Sequence, residues 1–189
     1  MKIEFIIPSF KQPNSLMTIL YCLLCQTNKN WSAHVIADGF YEEYEEIKNH
    51  FKKHKKVRFS QIDGPNKDWG HTPRNYGLKN LQEEWVVMTG QDNYYAPAFV
   101  ENFLTAAKEK DVHFVYCDMI HNHYQWTLMK SKPVVCNIDI GNFMSKSEYA
   151  SQMQIDTKSY VGDGLFVEQY LKKFPGKIIY IPSALYVHN

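Results

Sequence analysis

The first half of the chain alternates short apolar runs with segments of helical period. Residues 2–8 (KIEFIIP) are a compact apolar run closed by proline and serine, the pattern of a strand buried on both faces. Residues 14–27 (NSLMTILYCLLCQT) place apolar side chains at helical spacing, with Asn14 or Ser15 positioned to cap the first turn. The same reading predicts a strand at 31–39 (WSAHVIADG), a helix at 42–56, a strand at 57–63 and, after the polar loop GPNKDWGHTP, a short helix near 73–80. Trp85, Val86, Val87 and Met88 then form a fourth buried strand. This β-α-β-α-β-α-β order implies a three-layer α/β sandwich: a central, mainly parallel mixed sheet flanked by helices.

The second half is less regular. Residues 112–120 (VHFVYCDMI) read as a strand, and 132–140 (KPVVCNIDI) as another. Residues 162–174 (GDGLFVEQYLKKF) read as an amphipathic helix closed by Pro175-Gly176, followed by a strand at 177–182. No repeat, low-complexity tract or linker interrupts the chain, so a single domain over 1–189 is expected.

Composition narrows the function classes. Hydrophobic residues make up 44% of the 189 and aromatics 15%, enough for a core that buries roughly 70% of the unfolded surface. The 21 basic and 20 acidic side chains nearly cancel, which argues against a nucleic-acid partner. No apolar run approaches the ~18 residues of a membrane span, and the N-terminus lacks a signal-peptide pattern, so a cytoplasmic protein is expected. Glu42, Glu43, Glu45 and Glu46 open the second helix and Lys52, Lys53, Lys55 and Lys56 close it. The helix dipole favours that order, so a solvated helix explains it better than an anion-docking patch. Cys22 and Cys25 form a C-x-x-C on what the period makes the apolar face of a helix; with no second such pair, packed thiols are preferred over redox or zinc chemistry.

Three polar clusters lie at strand ends, where α/β sheets bind ligands. They are Pro8-Ser9-Phe10, Ala37-Asp38-Gly39 and Gly90-Gln91-Asp92-Asn93. Each alone could be a turn, but three in succession suggest one polar cleft. The chain has neither G-x-G-x-x-G nor G-x-x-x-x-G-K-[ST], so a glycine loop does not meet a phosphate here. A divalent ion held by a carboxylate, with a diphosphate supplying further ligands, would serve instead.

The stretches IEFIIPSFKQPNSLMTILYCLLCQTNKNWSAHVIADGF, GHTPRNYGLKNLQEEWVVMTGQDNYYAPAFVENF and YVGDGLFVEQYL resemble the GT-A-fold nucleotide-sugar glycosyltransferases, family 2 in particular. The likeness is good over residues 2 to 105 and patchy beyond. In general flavour the chain is also similar to glycosyltransferases of large algal viruses that decorate capsid protein, though no motif carries that likeness. The family resemblance implies a nucleotide-binding part at about 1–105 and an acceptor-side part at about 106–189. It places Pro8, Ser9 and Phe10 in a nucleoside pocket, with Asp38 accepting from the base, most simply from N3 of uracil. Arg74 would sit beside the base or phosphates. Gln91 and Asp92 would take the last two places of the D-x-D, with Asp92 a ligand for Mn²⁺ or Mg²⁺. Asp163 would be the general base, or an N-cap, and His188 a late metal ligand, or a surface histidine.

The sequence departs from that pattern at Gly90, where the first aspartate of the D-x-D would stand, and at Asn93, in place of a frequent third acid. His121 and His123 form an H-x-H without an acidic neighbour in sequence; acceptor contacts or plain surface are preferred to a metal site. Trp69, Tyr94, Tyr124 and Trp126 are candidates for stacking on sugar rings. The expected activity is transfer of a sugar from a nucleotide diphosphate donor, UDP-linked most simply, to a hydroxyl of a glycan or similar acceptor. Gly90 motivates an alternative, a nucleotide-sugar-binding domain without turnover. A nucleotidyltransferase ranks third for want of a phosphate loop.

Overall fold

The computed structural model describes residues 1–189. In chain order the elements are β1 (Ile3–Ser9), α1 (Pro13–Leu24), β2 (Trp31–Asp38), α2 (Glu42–Phe51), β3 (Val57–Ile62), α3 (His71–Lys79), β4 (Trp85–Met88), β5 (Tyr94–Tyr95) and α4 (Phe99–Ala106). There follow β6 (Val112–His121), a 3-10 turn (Asn122–Tyr124), β7 (Thr127–Met129), β8 (Phe143–Lys146), α5 (Ser147–Ala150), α6 (Gly162–Lys173) and β9 (Lys177–His188).

One sheet runs β3-β2-β1-β4-β8-β6-β9-β5, with β7 also paired to β6. Strands β1 to β4 pair in parallel, as the alternation predicts. The later strands mix in antiparallel pairs, apart from the parallel β6–β9 ladder. Alternate residues of β1 serve the two faces: Phe5 and Ile7 pack with Leu16, Leu20 and Phe99 on one side, Ile6 with Leu78 and Phe166 on the other. Close contact fixes the second face, since a Cβ on Gly77 of α3 would stand 2.6 Å from Ile6 Cγ2.

Local chemistry corrects several boundaries. Helix α1 starts at Pro13 with no side-chain cap, because proline has its φ set for the first turn and no N–H to satisfy. Asn14 contributes only its carbonyl, which accepts from Thr18 Oγ1 at 2.8 Å. Helix α2 carries its acids in the first turn but ends at Phe51, so Lys52 to Lys56 lie beyond its last turn. Helix α3 begins at His71, two residues earlier than expected, because the Asp68 carboxylate accepts from Thr72 N at 2.8 Å. Of the C-x-x-C, Cys22 is half-buried and Cys25 is exposed at the end of α1, so the two do not share a packed face.

The strand expected at 132–140 does not form. Asn142 Oδ1 accepts from Asp139 N at 3.2 Å and Asp139 Oδ1 from Gly141 N at 3.0 Å, so side chains take backbone partners a strand would need. The strand forms just after, as β8. Strand β9 continues past Pro182-Ser183, reaching His188 instead of stopping at 182. The register absorbs the interruption: Cys117 pairs with Ile181 and Asp118 with Ala184, so the two residues between bulge out. Beyond the bulge β9 also pairs with β5, Tyr94 opposite Val187, which brings His188 next to the turn after β4.

Candidate active site

The carboxyl ends of β1, β2 and β4 open onto a cavity of about 280 Å³. Pro8, Ser9, Phe10, Asp38, Arg74, Gln91 and Asp92 all line it, so the first-half residues singled out in sequence converge on one place. Gln91 is held internally: its Oε1 accepts from Ser9 Oγ at 2.8 Å and Phe10 N at 3.2 Å, and its Nε2 donates to Phe10 O at 2.9 Å. Ser9 in turn is hydrogen-bonded to Tyr41 Oη. Both side chains therefore shape the wall, and three hydrogen bonds tie the Gln91 amide to Ser9 at the end of β1 and to Phe10 just after it. Across the cavity, Asp38 accepts from Asn66 N at 3.1 Å and from Asn66 Nδ2 at 2.6 Å, which fixes its carboxylate plane.

A second cavity of about 620 Å³ adjoins the first, and Gln12, Trp69, Arg74, Gly90 and Asp92 line both. Arg74 is buried at this junction. Its guanidinium donates to Thr89 O at 3.1 and 3.2 Å and to Trp69 O at 2.8 Å, with no carboxylate partner in hydrogen-bond range. Burial lowers its pKa, while Asp139, Asp163, Tyr186 and Asp92 act to raise it. His71 beside it is pushed down to about 4 by burial and by Arg74, and is neutral at pH 7. The net result is a buried cation at the point where the cavities meet, bonded to backbone carbonyls and not to a carboxylate. Gly90 has a local role there: a Cβ at this position would lie 2.7 Å from Asp92 Oδ1 and 3.0 Å from Asn93 Nδ2. The missing side chain leaves room for the Asp92 carboxylate.

Asp163, near the start of α6, faces the larger cavity. It is no N-cap, since that position belongs to Val161; its Oδ1 accepts from Gly164 N at 2.7 Å. Burial first, and then the charge of Asp139, raise its pKa to about 6. A carboxylate with that pKa is ionised at neutral pH yet basic enough to take a proton.

Asp139, His121 and His188 lie in the same cavity with their ligand atoms within 4.8 Å of one another. His188 is therefore a half-buried cavity residue. Its Nδ1 is 3.1 Å from Asp139 Oδ2, an ion-pair distance, but poorly aligned for a hydrogen bond. Burial alone would lower the His188 pKa; Asp139 overcomes this and raises it. For Asp139, burial acts upward, but His188, the Tyr186 hydroxyl and Gly141 N outweigh it and the carboxyl is held low. His121 stacks on His188 at 4.2 Å between centroids, because β6 and β9 place the two residues in register. The acidic neighbour that H-x-H lacks in sequence is thus supplied in space by Asp139.

Asp139 was missed in sequence because NIDI resembles a strand, and a lone acid in an apolar run was the only signal. Of the stacking candidates, Trp69 and Tyr124 line the larger cavity and are exposed, as is Tyr160, which meets Trp69 edge-on at 5.6 Å. Tyr94 and Trp126 do not line it.

The architecture matches solved glycosyltransferases throughout. The crystal structure of TarS residues 1–349 from S. aureus superimposes with a TM-score of 0.81 at 16% identity, covering all of this chain and 60% of that one. The same protein in complex with UDP-GlcNAc gives 0.75 at 18% identity over 99% of this chain and 58% of that one. A mannosyltransferase from Pyrobaculum calidifontis, in complex with GDP-Man and Mn²⁺, gives 0.75 at 13% identity over 99% and 56%. The fold is therefore GT-A, a curled mixed sheet flanked by helices. An uncharacterized glycosyltransferase of Rickettsia felis is 26% identical over 133 residues, 69% of this chain and 20% of that protein. A second, from Rickettsia conorii, is 26% identical over 115 residues, 60% of this chain and 18% of that protein. The chain thus spans about a fifth of the length of the curated relatives it matches. The family model described as glycosyl transferase family 2 matches residues 4–181, and this chain belongs to that family.

Proposed function

We propose that the chain transfers a sugar from a nucleotide diphosphate donor, UDP-linked most simply, to a hydroxyl of a glycan or similar acceptor with the help of a divalent ion. The observation that carries this reading is the pair of joined cavities with the buried Arg74 cation at their junction and Asp163 in the larger one. The smaller cavity has the walls for a nucleoside: Pro8, Ser9 and Phe10 on one side and Asp38 on the other, offering an acceptor to an imide N–H such as N3 of uracil. Arg74 then neutralises the diphosphate, and its low-dielectric position strengthens that attraction.

Asp92 borders both cavities and His188 faces the larger one, so an oxygen and a nitrogen donor are available to Mn²⁺ or Mg²⁺. His188 Nδ1 is buried without an aligned partner, which fits a site open to a ligand. Such an ion would supply charge neutralisation to the leaving diphosphate. Asp163 accepts the proton of the acceptor hydroxyl if the reaction inverts the anomeric centre. The acceptor occupies the larger cavity, contributed mainly by residues after 105, and the nucleotide the part formed by residues before it.

Calorimetric titration of UDP with and without Mn²⁺, on wild type and Asp92→Ala, tests the reading. Metal-dependent binding that the variant loses supports it. Binding indifferent to both metal and Asp92 would remove the ion and its mechanism. Release of UDP from a UDP-sugar only when acceptor is added separates transfer from binding without turnover.

A further inference from the structure

Taking the metal-assisted reading above as its basis, we infer that the protein's share of the metal centre is a two-histidine, one-carboxylate set, His121, Asp139 and His188, borne on strands and not on the D-x-D turn alone. The set is prebuilt by the sheet. His121 ends β6 and His188 ends β9, and their parallel register puts them side by side on one face. Asp139 enters from the turn before β8, where the Tyr186 hydroxyl and Gly141 N both donate to Oδ1 and leave Oδ2 turned toward His188.

The ligand atoms, already within 4.8 Å of one another, need to close by roughly an ångström to reach the ~2.0–2.2 Å bonds of a first-row ion. The ligation also has a local cost. His123 N donates to His121 Nδ1 at 3.2 Å, and coordination through Nε2 needs that nitrogen to carry the proton. This contact would be given up.

The donor set sets the class of ion. Two imidazoles and one carboxylate suit Mn²⁺, Co²⁺ or Zn²⁺, whereas Mg²⁺ prefers an all-oxygen shell. Asp92, half-buried at the cavity edge, is then needed chiefly when the diphosphate arrives. Gly90 in place of an acid becomes understandable, because the nitrogen ligands take over the work of the absent carboxylate.

Co²⁺ titration of the nucleotide-free protein tests this, followed by its visible absorption and by calorimetry, on wild type, His121→Ala, His121→Gln, Asp139→Asn and Asp92→Asn. Circular dichroism melts report folding; His121 is half-buried at a strand end, so its variants separate ligation from collapse. We expect one Co²⁺ per chain, weakening of about tenfold or more in each His121 variant and in Asp139→Asn, and less than about threefold in Asp92→Asn. Mg²⁺ in large excess should fail to displace the cobalt. Equal affinity in wild type and the His121 variants, loss of binding through Asp92→Asn alone, or no binding at all would overturn the assignment. UDP calorimetry on the same samples keeps this outcome distinct: a chain that binds cobalt through His121 but never binds UDP sinks the transferase reading and leaves the metal set standing.

Discussion

Gly90 and Asp92 share one small volume: a methyl on the first would stand 2.7 Å from Oδ1 of the second. The clash falls on the free end of a side chain, so relief comes from turning the carboxylate away. Gly90→Ala should therefore leave stability within about 1 kcal/mol of wild type while weakening metal-dependent UDP binding by tenfold or so. Gly90→Asp, which writes back the missing acid, should behave no better. A thermal melt beside a UDP titration in Mn²⁺ checks both.

Asp163 offers a test in which stability and activity move in opposite directions. Its pKa is raised to about 6, so the folded state holds the proton more tightly than the unfolded one. The associated stability is complete below about pH 4 and is lost as pH rises through 6. At pH 7 the buried carboxylate is thus a liability that Asp163→Asn removes. The variant should be more stable there by about 1–3 kcal/mol, with the gain vanishing near pH 4, and should lose activity by at least about a hundredfold. Wild-type activity should fall as pH drops through 6. Melts at several pH values and a pH–rate profile decide this.

Arg74→Lys keeps the charge but not the fork that reaches Thr89 O and Trp69 O together. We expect UDP affinity to fall by tenfold or more, along with a stability loss of about 1–3 kcal/mol from carbonyls left without donors. If calorimetry shows UDP binding unchanged, Arg74 belongs to the scaffold alone.

Away from the site, Gly77→Ala should cost about 1–3 kcal/mol, because the added methyl meets Ile6 and Ile36 where α3 seats on the sheet. Denaturant unfolding measures it, and an unchanged midpoint would mean that α3 can lift off without penalty.

What could be read from the sequence follows the character of the strands. Strands β1, β2 and β4 are buried on both faces and read as apolar runs, broken only by Glu4 in β1 and by Ser32 and His34 in β2, so the sequence located them and, with them, Ser9, Asp38 and Asp92 at or just past their ends. Strand β9 was half hidden, since Pro182-Ser183 looks like a stop and only pairing with β6 carries the chain past it. Asp139 was out of reach for a related reason: its meaning depends on Tyr186, His188 and Gly141, and tertiary contact alone brings the first two beside it. Helix α4 was also missed, although Phe99, Val100, Phe103 and Leu104 fall at helical spacing and are buried.

The three hydrogen bonds that Gln91 makes to Ser9 and Phe10 splice the loop after β1 to the turn after β4. One jaw of the smaller cavity is therefore a single casting, and a shift at Phe10 is passed on to Gln91, next to Asp92. If the cavity holds a base as proposed, room for a larger one comes from the opposite jaw, the segment that reaches Asp38 through Asn66. On the proposed reading, engineering of base preference should begin at Gly64 to Asn66, short of Trp69, whose carbonyl holds Arg74.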